Sequence, residues 1–299
     1  MNSSPFLIAG CGYIGQALAK SLNAAGHEVI GLTHSKESAK NLGQELGIDV
    51  FPCDLGSRSA IANLAGQITE PQTVIHCASS GRGGLEAYEK VYLRGCENLL
   101  GTFTGSGLLF TSSTSVYSQT DGSEVTENSP AKPERDTGKV LRYTEDLVLQ
   151  AGGIVTRLAG LYGPERSVLL TRFLTGEAKI EAGTSRWMNQ IHRNDVVSAL
   201  TTLLHAESEV RGQIFNVSDG NPTTQRSCYK DLAAHFDKPV PEEAPPDLDR
   251  KRGWTHKRVS SAKLREFGWH PRYGSFLEAV REDSDLVPSI KRQIAEKVT

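Results

Sequence analysis

Gly10, Gly12 and Gly15 are spaced as G-x-G-x-x-G inside the run FLIAGCGYIGQALAKSLNAAGHEVIGLT. Glycines at this spacing can hold the pyrophosphate of a dinucleotide when a strand precedes them and a helix follows. Here an apolar run leads into Gly10, an amphipathic run starts at Gly15, and a second apolar run arrives at Glu28–Leu32. Each glycine then has its own task. Gly10 permits a tight turn, Gly12 lets the backbone approach the phosphates, and Gly15 lets the helix pack closely on the strand. The helix N-terminus adds partial positive charge, and Tyr13 and Ile14 of the loop are expected at the coenzyme.

The end of the second apolar run bears on which dinucleotide is held. A site selecting NAD offers a carboxylate about 20 residues after the glycines, to accept from the ribose 2′-hydroxyl. This chain has Thr33, His34, Ser35 and Lys36 there, with no carboxylate before Glu37. Hydroxyls and bases welcome a 2′-phosphate, so NADP(H) is the expected coenzyme, with NAD the alternative. Ser35 reads equally as the N-cap of the next helix. After the third apolar run, Asp54 with Leu55 beside it can accept from an adenine amino group or cap the helix that follows. Cys11 lies in the glycine loop and reads as a small residue at a variable position.

The elements that must position these groups alternate between short β-branched runs and amphipathic ones, the pattern of a parallel sheet flanked by helices. Strands are predicted at Phe6–Ala9, Glu28–Leu32, Asp49–Phe51, Thr73–Cys77 and Leu108–Thr111, and a sixth within GGIVTRLAGLYGP. Helices are predicted at Gly15–Ala25, Lys36–Leu46 and Leu85–Phe103. The expectation is an α/β Rossmann-type doubly wound sheet over residues 1–163. A smaller substrate lobe takes residues 164–299, with residues 213–219 returning to the sheet as a strand. Pro239–Gly253, rich in proline and acid, is expected to form neither helix nor strand and to be mobile.

In 299 residues with 38% hydrophobic and 23% charged side chains, the composition is that of a soluble globular protein. A formal charge of -2 gives no electrostatic reason to expect nucleic acid, and no apolar run is long enough for a membrane span. The run Arg250-Lys251-Arg252 reads as solvated surface. Five cysteines without C-x-x-C spacing argue against a metal site or a disulfide framework, and fit a reducing cytoplasm. The chain enters a strand almost at once, so no signal peptide is read.

Longer stretches add a resemblance. GCGYIG, CDL at Asp54, VIHCASS, FTSSTSVY, RLAGLYGP, NQIHRNDVVSAL, IFNVSDGNPTTQRSCYKDLA and KRVSSAKLREFGWHPRY follow one another in the order of the extended and atypical short-chain dehydrogenase/reductases. The chain resembles the epimerase/dehydratase members of that group over nearly its whole length. The resemblance implies that Cys77, Ala78 and Ser79 line the coenzyme diphosphate and ribose, and that Ser113 binds the substrate oxygen. It places Tyr162 and Gly163 near the nicotinamide, and His192 and Asp195 where the substrate lobe closes.

The resemblance also exposes a gap. The family uses a Tyr and a Lys four residues apart on one helix face, and those positions hold Thr137 and Leu141. Lys139 is two residues from each, about 200° around a helix, and Tyr143 is rotated off the face by as much. Thr137 keeps a hydroxyl but reads better as a helix cap. Tyr92 stands where the family has an active-site Asn and could project its hydroxyl towards Ser113, or could be a core aromatic. Tyr117 lies at the site's edge, and Arg186 could fork onto a substrate carboxylate or phosphate, as could His192 contact the substrate. Two functions stay open. One is an NADP(H)-dependent oxidoreductase or epimerase on a small polar, sugar-like metabolite; the other is an NADP(H)-binding sensor without turnover. A homodimer through Leu85–Phe103 and Lys139–Leu149 is compatible with either.

Overall fold

A computed structural model describes residues 4–81, 83–183, 185–247 and 254–298. The run Arg250-Lys251-Arg252 lies outside them. Compactness divides the chain into two units. The first takes the chain up to Val116, Ala131–Arg157 and Leu200–Phe215. The second takes Tyr117–Pro130, Leu158–Ala199 and the chain from Asn216. The boundary expected at Gly163, with 213–219 returning to the sheet, is crossed further: the first unit also takes Leu200–Phe215, and the second takes Tyr117–Pro130.

The first unit is built on a sheet whose strands are β1 (Phe6–Ala9), β2 (Val29–Thr33), β3 (Asp49–Pro52), β4 (Thr73–His76), β5 (Gly107–Ser113), β6 (Ile154–Leu158) and β7 (Ile214–Val217). Their order is β7-β6-β5-β4-β1-β2-β3. The pairs around β1 and β4 are parallel, with Ala9 level with Leu32 on one side and His76 on the other. Val155 N bonds Gln213 O, so the run IFNVSD does return to the sheet at its edge. Strands covered on both faces are apolar almost throughout, as FLIA is here, all four residues buried. The expected doubly wound fold is the observed one, with strand ends within two residues of the sequence reading.

Helices α1 (Tyr13–Ala24), α2 (Lys36–Leu46), α3 (Arg58–Ala65), α4 (Leu85–Tyr88), α5 (Gly95–Thr102) and α6 (Asp136–Gln150) flank the sheet. The stretch read as one helix, Leu85–Phe103, is instead interrupted by a π-helical turn at Glu89–Arg94. Its apolar spacing fits either winding, so periodicity alone could not separate them. Such turns are rare and recur at functional sites. Two cap readings are also corrected. Thr137 lies inside the first turn of α6, whose N-cap position is Arg135. Helix α3 is capped by Ser57, which accepts from Ala60 N, while Asp54 turns its Oδ1 to Gly56 N at 3.0 Å.

The second unit has short strand pairs in place of a large sheet. Gly160–Tyr162 runs parallel to Gln190–His192, and Trp187–Met188 antiparallel to Thr223–Thr224. Its core gathers Tyr162, Phe173, Tyr229, Leu232, Phe276 and Ile290. The segment Pro239–Gly253, expected to form neither helix nor strand, holds a short strand; its residues 248–253 lie outside those described. Glu243–Ala244 pairs in parallel with Ile180–Glu181, and ion pairs Lys179–Glu242 (2.9 Å) and Arg226–Glu243 (2.5 Å) flank it. Proline removes donors, but an edge strand two residues long needs few of them.

Candidate coenzyme site

Gly10 turns the chain out of β1 with φ +105°, a conformation L side chains avoid. A Cβ there would collide with the Ala78 backbone, because the segment after β4 crosses directly beside the turn. A Cβ on Gly15 would run into the Gly10 carbonyl, so α1 can start this close to β1 only through glycine. Gly12 is different: a Cβ there would meet nothing within 4 Å. Two glycines are demanded by the protein's own packing, and the third leaves open space at the start of α1. Behind the turn, Gly31 in β2 makes room for the Cys11 sulfur. Burial pushes the Cys11 thiol up to about 11, which makes it a packed small residue and not a thiolate.

The turn opens on a cavity of about 210 Å³. Its walls are the carboxyl ends of four strands: Gly10 after β1, Thr33 and His34 at β2, Asp54, Leu55 and Gly56 after β3, and Ala78, Ser79 and Ser80 after β4. Strand order reverses at β1, with β2 on one side and β4 on the other, and such a switch point is where open α/β sheets bind ligands. Of the sequence-predicted coenzyme residues, Gly10, Thr33, His34, Asp54, Leu55, Ala78 and Ser79 line this one cavity. Cys77 is buried beneath it, with burial raising its thiol pKa. Ser35 caps α2, accepting from Ser38 N at 3.1 Å and donating to Ser38 Oγ at 2.9 Å.

Lys90 was not anticipated. It lies along the Gly56 backbone, where a Cβ would collide with its stem, and its Nζ is 2.8 Å from Asp54 Oδ2. Hydrogen bonds from Lys90 and Gly56 N, and the Lys90 charge, outweigh burial and hold the Asp54 carboxyl below its ordinary value. No local pattern links residues 54 and 90; only the packing of the π-turn brings them together. Ser80, Ala87 and Val91 were missed for the same reason.

Tyr92 sits on the π-turn, half-buried, its ring 5.0 Å from Tyr88 and 6.1 Å from Phe110. Its hydroxyl accepts from the N–H of Ser80, a cavity-wall residue, at 3.4 Å. The ring packs as a core aromatic, and the hydroxyl meets Ser80 of the cavity wall. Ser113 ends β5, and its Oγ accepts from Ser115 N at 3.2 Å. Leu141 is 4% exposed, so an apolar side chain fills the position of the family lysine. Tyr143 is 69% exposed and Lys139 is paired with Asp136 on the surface, so neither stands in.

The remaining predicted residues lie in the second unit, and three present no accessible surface. Tyr117 is fully buried, its hydroxyl donating to Asn216 Oδ1 at 2.9 Å and near Thr126 O at 3.0 Å. Tyr162 is enclosed between His192 and Phe276, with ring centroids 5.3 and 4.8 Å away. His192 is fully buried: Nδ1 accepts from Asn194 N, so Nε2 carries the proton and donates to Asp283 Oδ2 at 2.9 Å. All three side chains pack within the unit. Arg186 is partly exposed and faces Glu181 at 3.5 Å. Asp195 accepts from the backbone N–H groups of Arg272 and Tyr273 and is likewise structural.

His192 gives a pH test of this placement. Burial lowers its pKa to about 4, against the opposing pull of Asp283. The unfolded chain therefore takes up the proton first. Stability from the neutral ring is full above the ordinary imidazole range and is lost as pH falls towards 4. The loss should be on the order of 3 kcal/mol, and urea unfolding of His192→Gln should show a flatter acid slope than the parent. Equal slopes would show that the ring is protonated or solvated in the folded chain.

Among the described residues no helix is long and apolar enough to cross a membrane, and no group of His, Cys, Asp or Glu could hold a metal ion.

Comparison with known proteins agrees with the fold. The Escherichia coli K12 protein YeeZ is 31% identical over 241 residues, covering 76% of this chain and 81% of YeeZ. The fold matches UDP-glucose-4-epimerase from Stenotrophomonas maltophila, solved with bound NAD and formylated UDP-arabinopyranose, at TM-score 0.80 and 19% identity, over 98% of this chain and 99% of that one. It also matches dTDP-glucose 4,6-dehydratase from Bacillus anthracis in complex with NAD, at TM-score 0.79 and 17% identity, over 97% of each chain. The glycine turn, the strand ends around it and the chain from β1 to β7 fall within one family model that spans residues 6–218. On that match, this chain belongs to the NAD-dependent epimerase/dehydratase family.

Proposed function

We propose that the protein is an NADP(H)-dependent oxidoreductase or epimerase acting on a small polar, sugar-like metabolite. The observation that carries the reading is the cavity at the switch point, opening on a glycine turn in which only Gly12 leaves its space empty. Gly10, Gly12, Tyr13, Ile14 and Gly15 would take the pyrophosphate, Asp54 and Leu55 the adenine, and Ala78 and Ser79 the ribose and phosphate. The preference for the 2′-phosphate rests on Thr33 and His34 at the end of β2 and on the pairing of Asp54 with Lys90, which neutralises the nearest cavity-wall carboxylate. The coenzyme supplies the hydride chemistry, and the chain aligns it and polarises a carbonyl. Ser113 is the proposed donor to the substrate oxygen and Tyr92 the proposed acid. The tyrosine reaches the cavity wall from the π-turn, as no residue of α6 does.

One observation favours a second reading. The buried Leu141 removes the positive charge that the family places beside its acid, and a binding protein without turnover needs no such charge.

The two readings separate in one assay. Calorimetry with NADPH and NADH should show binding with NADPH preferred, and a carbonyl panel should include a compound that consumes NADPH. Tyr92→Phe should then lower turnover about 100-fold, the usual contribution of a general acid, with NADPH affinity unchanged, and Ser113→Ala should act in the same direction. NADPH binding with no turnover across the panel would favour the sensor.

A further inference from the structure

Lys257 is 4% exposed, and its Nζ donates to the Tyr117 carbonyl at 2.9 Å. Asn189 fixes its backbone from both sides: Nδ2 donates to Lys257 O at 2.9 Å, and Oδ1 accepts from Val259 N at 2.7 Å. An ammonium has three N–H donors, and among the described residues the Tyr117 carbonyl is the one acceptor that this one reaches. The charges around it do not compensate it. Arg186 is the charge acting on the amine, and Arg186 is itself balanced by Glu181, which also accepts from Trp254 Nε1 at 3.0 Å. The sequence neighbours are engaged elsewhere. His256 Nδ1 accepts from Trp187 N, and Arg258 Nε donates to Gly122 O and its guanidinium lies over the Trp187 ring. Among the described residues, the cluster therefore carries one unbalanced positive charge when the lysine is protonated. A buried cation without a counter-charge is costly.

The geometry points to a carboxylate subsite in the second unit, formed by the Lys257 ammonium and the Arg186 guanidinium, that takes the acid group of a small substrate. One negative charge balances the cluster, whereas a nucleoside diphosphate would bring at least one more than it can neutralise. Arg186, partly exposed, is the approach from solvent, and its planar fork suits a carboxylate. Burial, with Arg186 adding to it, lowers the amine's pKa to about 7, so a bound carboxylate would restore the proton that burial takes away. That the anion belongs to the substrate rests on the function proposed above.

The test uses the full chain with lysines carbon-13-labelled at Cε, titrated by NMR. One resonance should titrate near neutral pH and be missing in Lys257→Met. Saturating glycolate should raise its midpoint by about one unit, a tenfold preference for the ammonium in the bound state, and Arg186→Gln should abolish most of that rise. UDP should move it less than glycolate. The proposal is overturned if no lysine titrates near neutrality, if glycolate leaves the midpoint in place, or if UDP moves it further than glycolate. Should Lys257→Met not fold, Lys257→Gln serves for the assignment. NADPH calorimetry on the same sample keeps the outcomes apart, since a glycolate response without coenzyme binding would sink the proposed function and spare the subsite.

Discussion

Gly12→Val is expected to weaken NADPH binding by at least about 100-fold, a loss of roughly 2.7 kcal/mol, while leaving the melting temperature nearly unchanged. The backbone at Gly12 has φ -92° and ψ -149°, at the rim of the extended region, and the space its Cβ would enter is vacant. The valine side chain therefore enters open space and fills the room proposed for the pyrophosphate. Gly15→Val should behave in the opposite sense. Its side chain would be driven into the Gly10 carbonyl and against Ile8, and overpacking of this kind costs about 1–3 kcal/mol or more. Calorimetric melting and NADPH titration of the two variants side by side check both halves. If Gly12→Val bound coenzyme as the parent does, the dinucleotide would have to approach by another route, and the site would be misassigned.

The largest expected loss of stability comes from the network behind β5. Glu145 of α6 and Arg157 of β6 are both buried, with Arg157 Nε 3.0 Å and Nη2 2.6 Å from the carboxylate oxygens. Ser112 Oγ donates to the same carboxylate at 2.6 Å, and Arg142 reaches it at 3.1 Å while also pairing with Asp146. Removing Arg157 leaves the buried Glu145 carboxylate with only Ser112 and the partly exposed Arg142, at a cost towards the lower end of the roughly 3–5 kcal/mol of a broken buried pair. Arg157→Leu should therefore lower urea stability by that amount. Adding Glu145→Leu to it should recover much of the loss, because no uncompensated charge then stays inside. A strictly additive double variant would show that the two groups are not coupled. Ser112 immediately precedes Ser113, so the same network holds the end of the strand that presents the proposed substrate donor.

How much of this was legible in advance can be argued residue by residue. The glycine turn was, because its requirements are local: a turn, an open backbone position and a close helix start each exclude a Cβ within a few residues. The strands were legible too, since β1 (FLIA) is apolar on both faces and β2 (VIGLT) nearly so, a pattern amphipathic helices do not share. The absence of the family's Tyr and Lys could be read directly, and the exposure of Tyr143 and the pairing of Lys139 follow from helical rotation alone.

Other features depend on contacts between distant segments. The winding of Glu89–Arg94 is set by packing against the rest of its unit, and the same apolar spacing serves an α-helix or a π-turn. That winding brings Lys90 to Asp54 and Tyr92 to Ser80, across 36 and 12 positions of sequence. Tyr117, Tyr162 and His192 show the limit from the other side. Motif position marked them as contacts for ligands, yet a hydroxyl or an imidazole is equally suited to a buried hydrogen bond, and which use prevails is settled by the segments that fold over it. Lys257 is the strongest case. Nothing in KRVSSAK distinguishes it from a solvated lysine, and only the Tyr117 carbonyl, Asn189 and Arg186, supplied by other segments, give it an environment where an amine titrates near neutrality. Sequence determines what each residue can do with its neighbours in the chain, because sterics and periodicity act over a turn or two. Tertiary structure decides which groups lose water and which charges meet, because desolvation and Coulomb forces depend on distance in space.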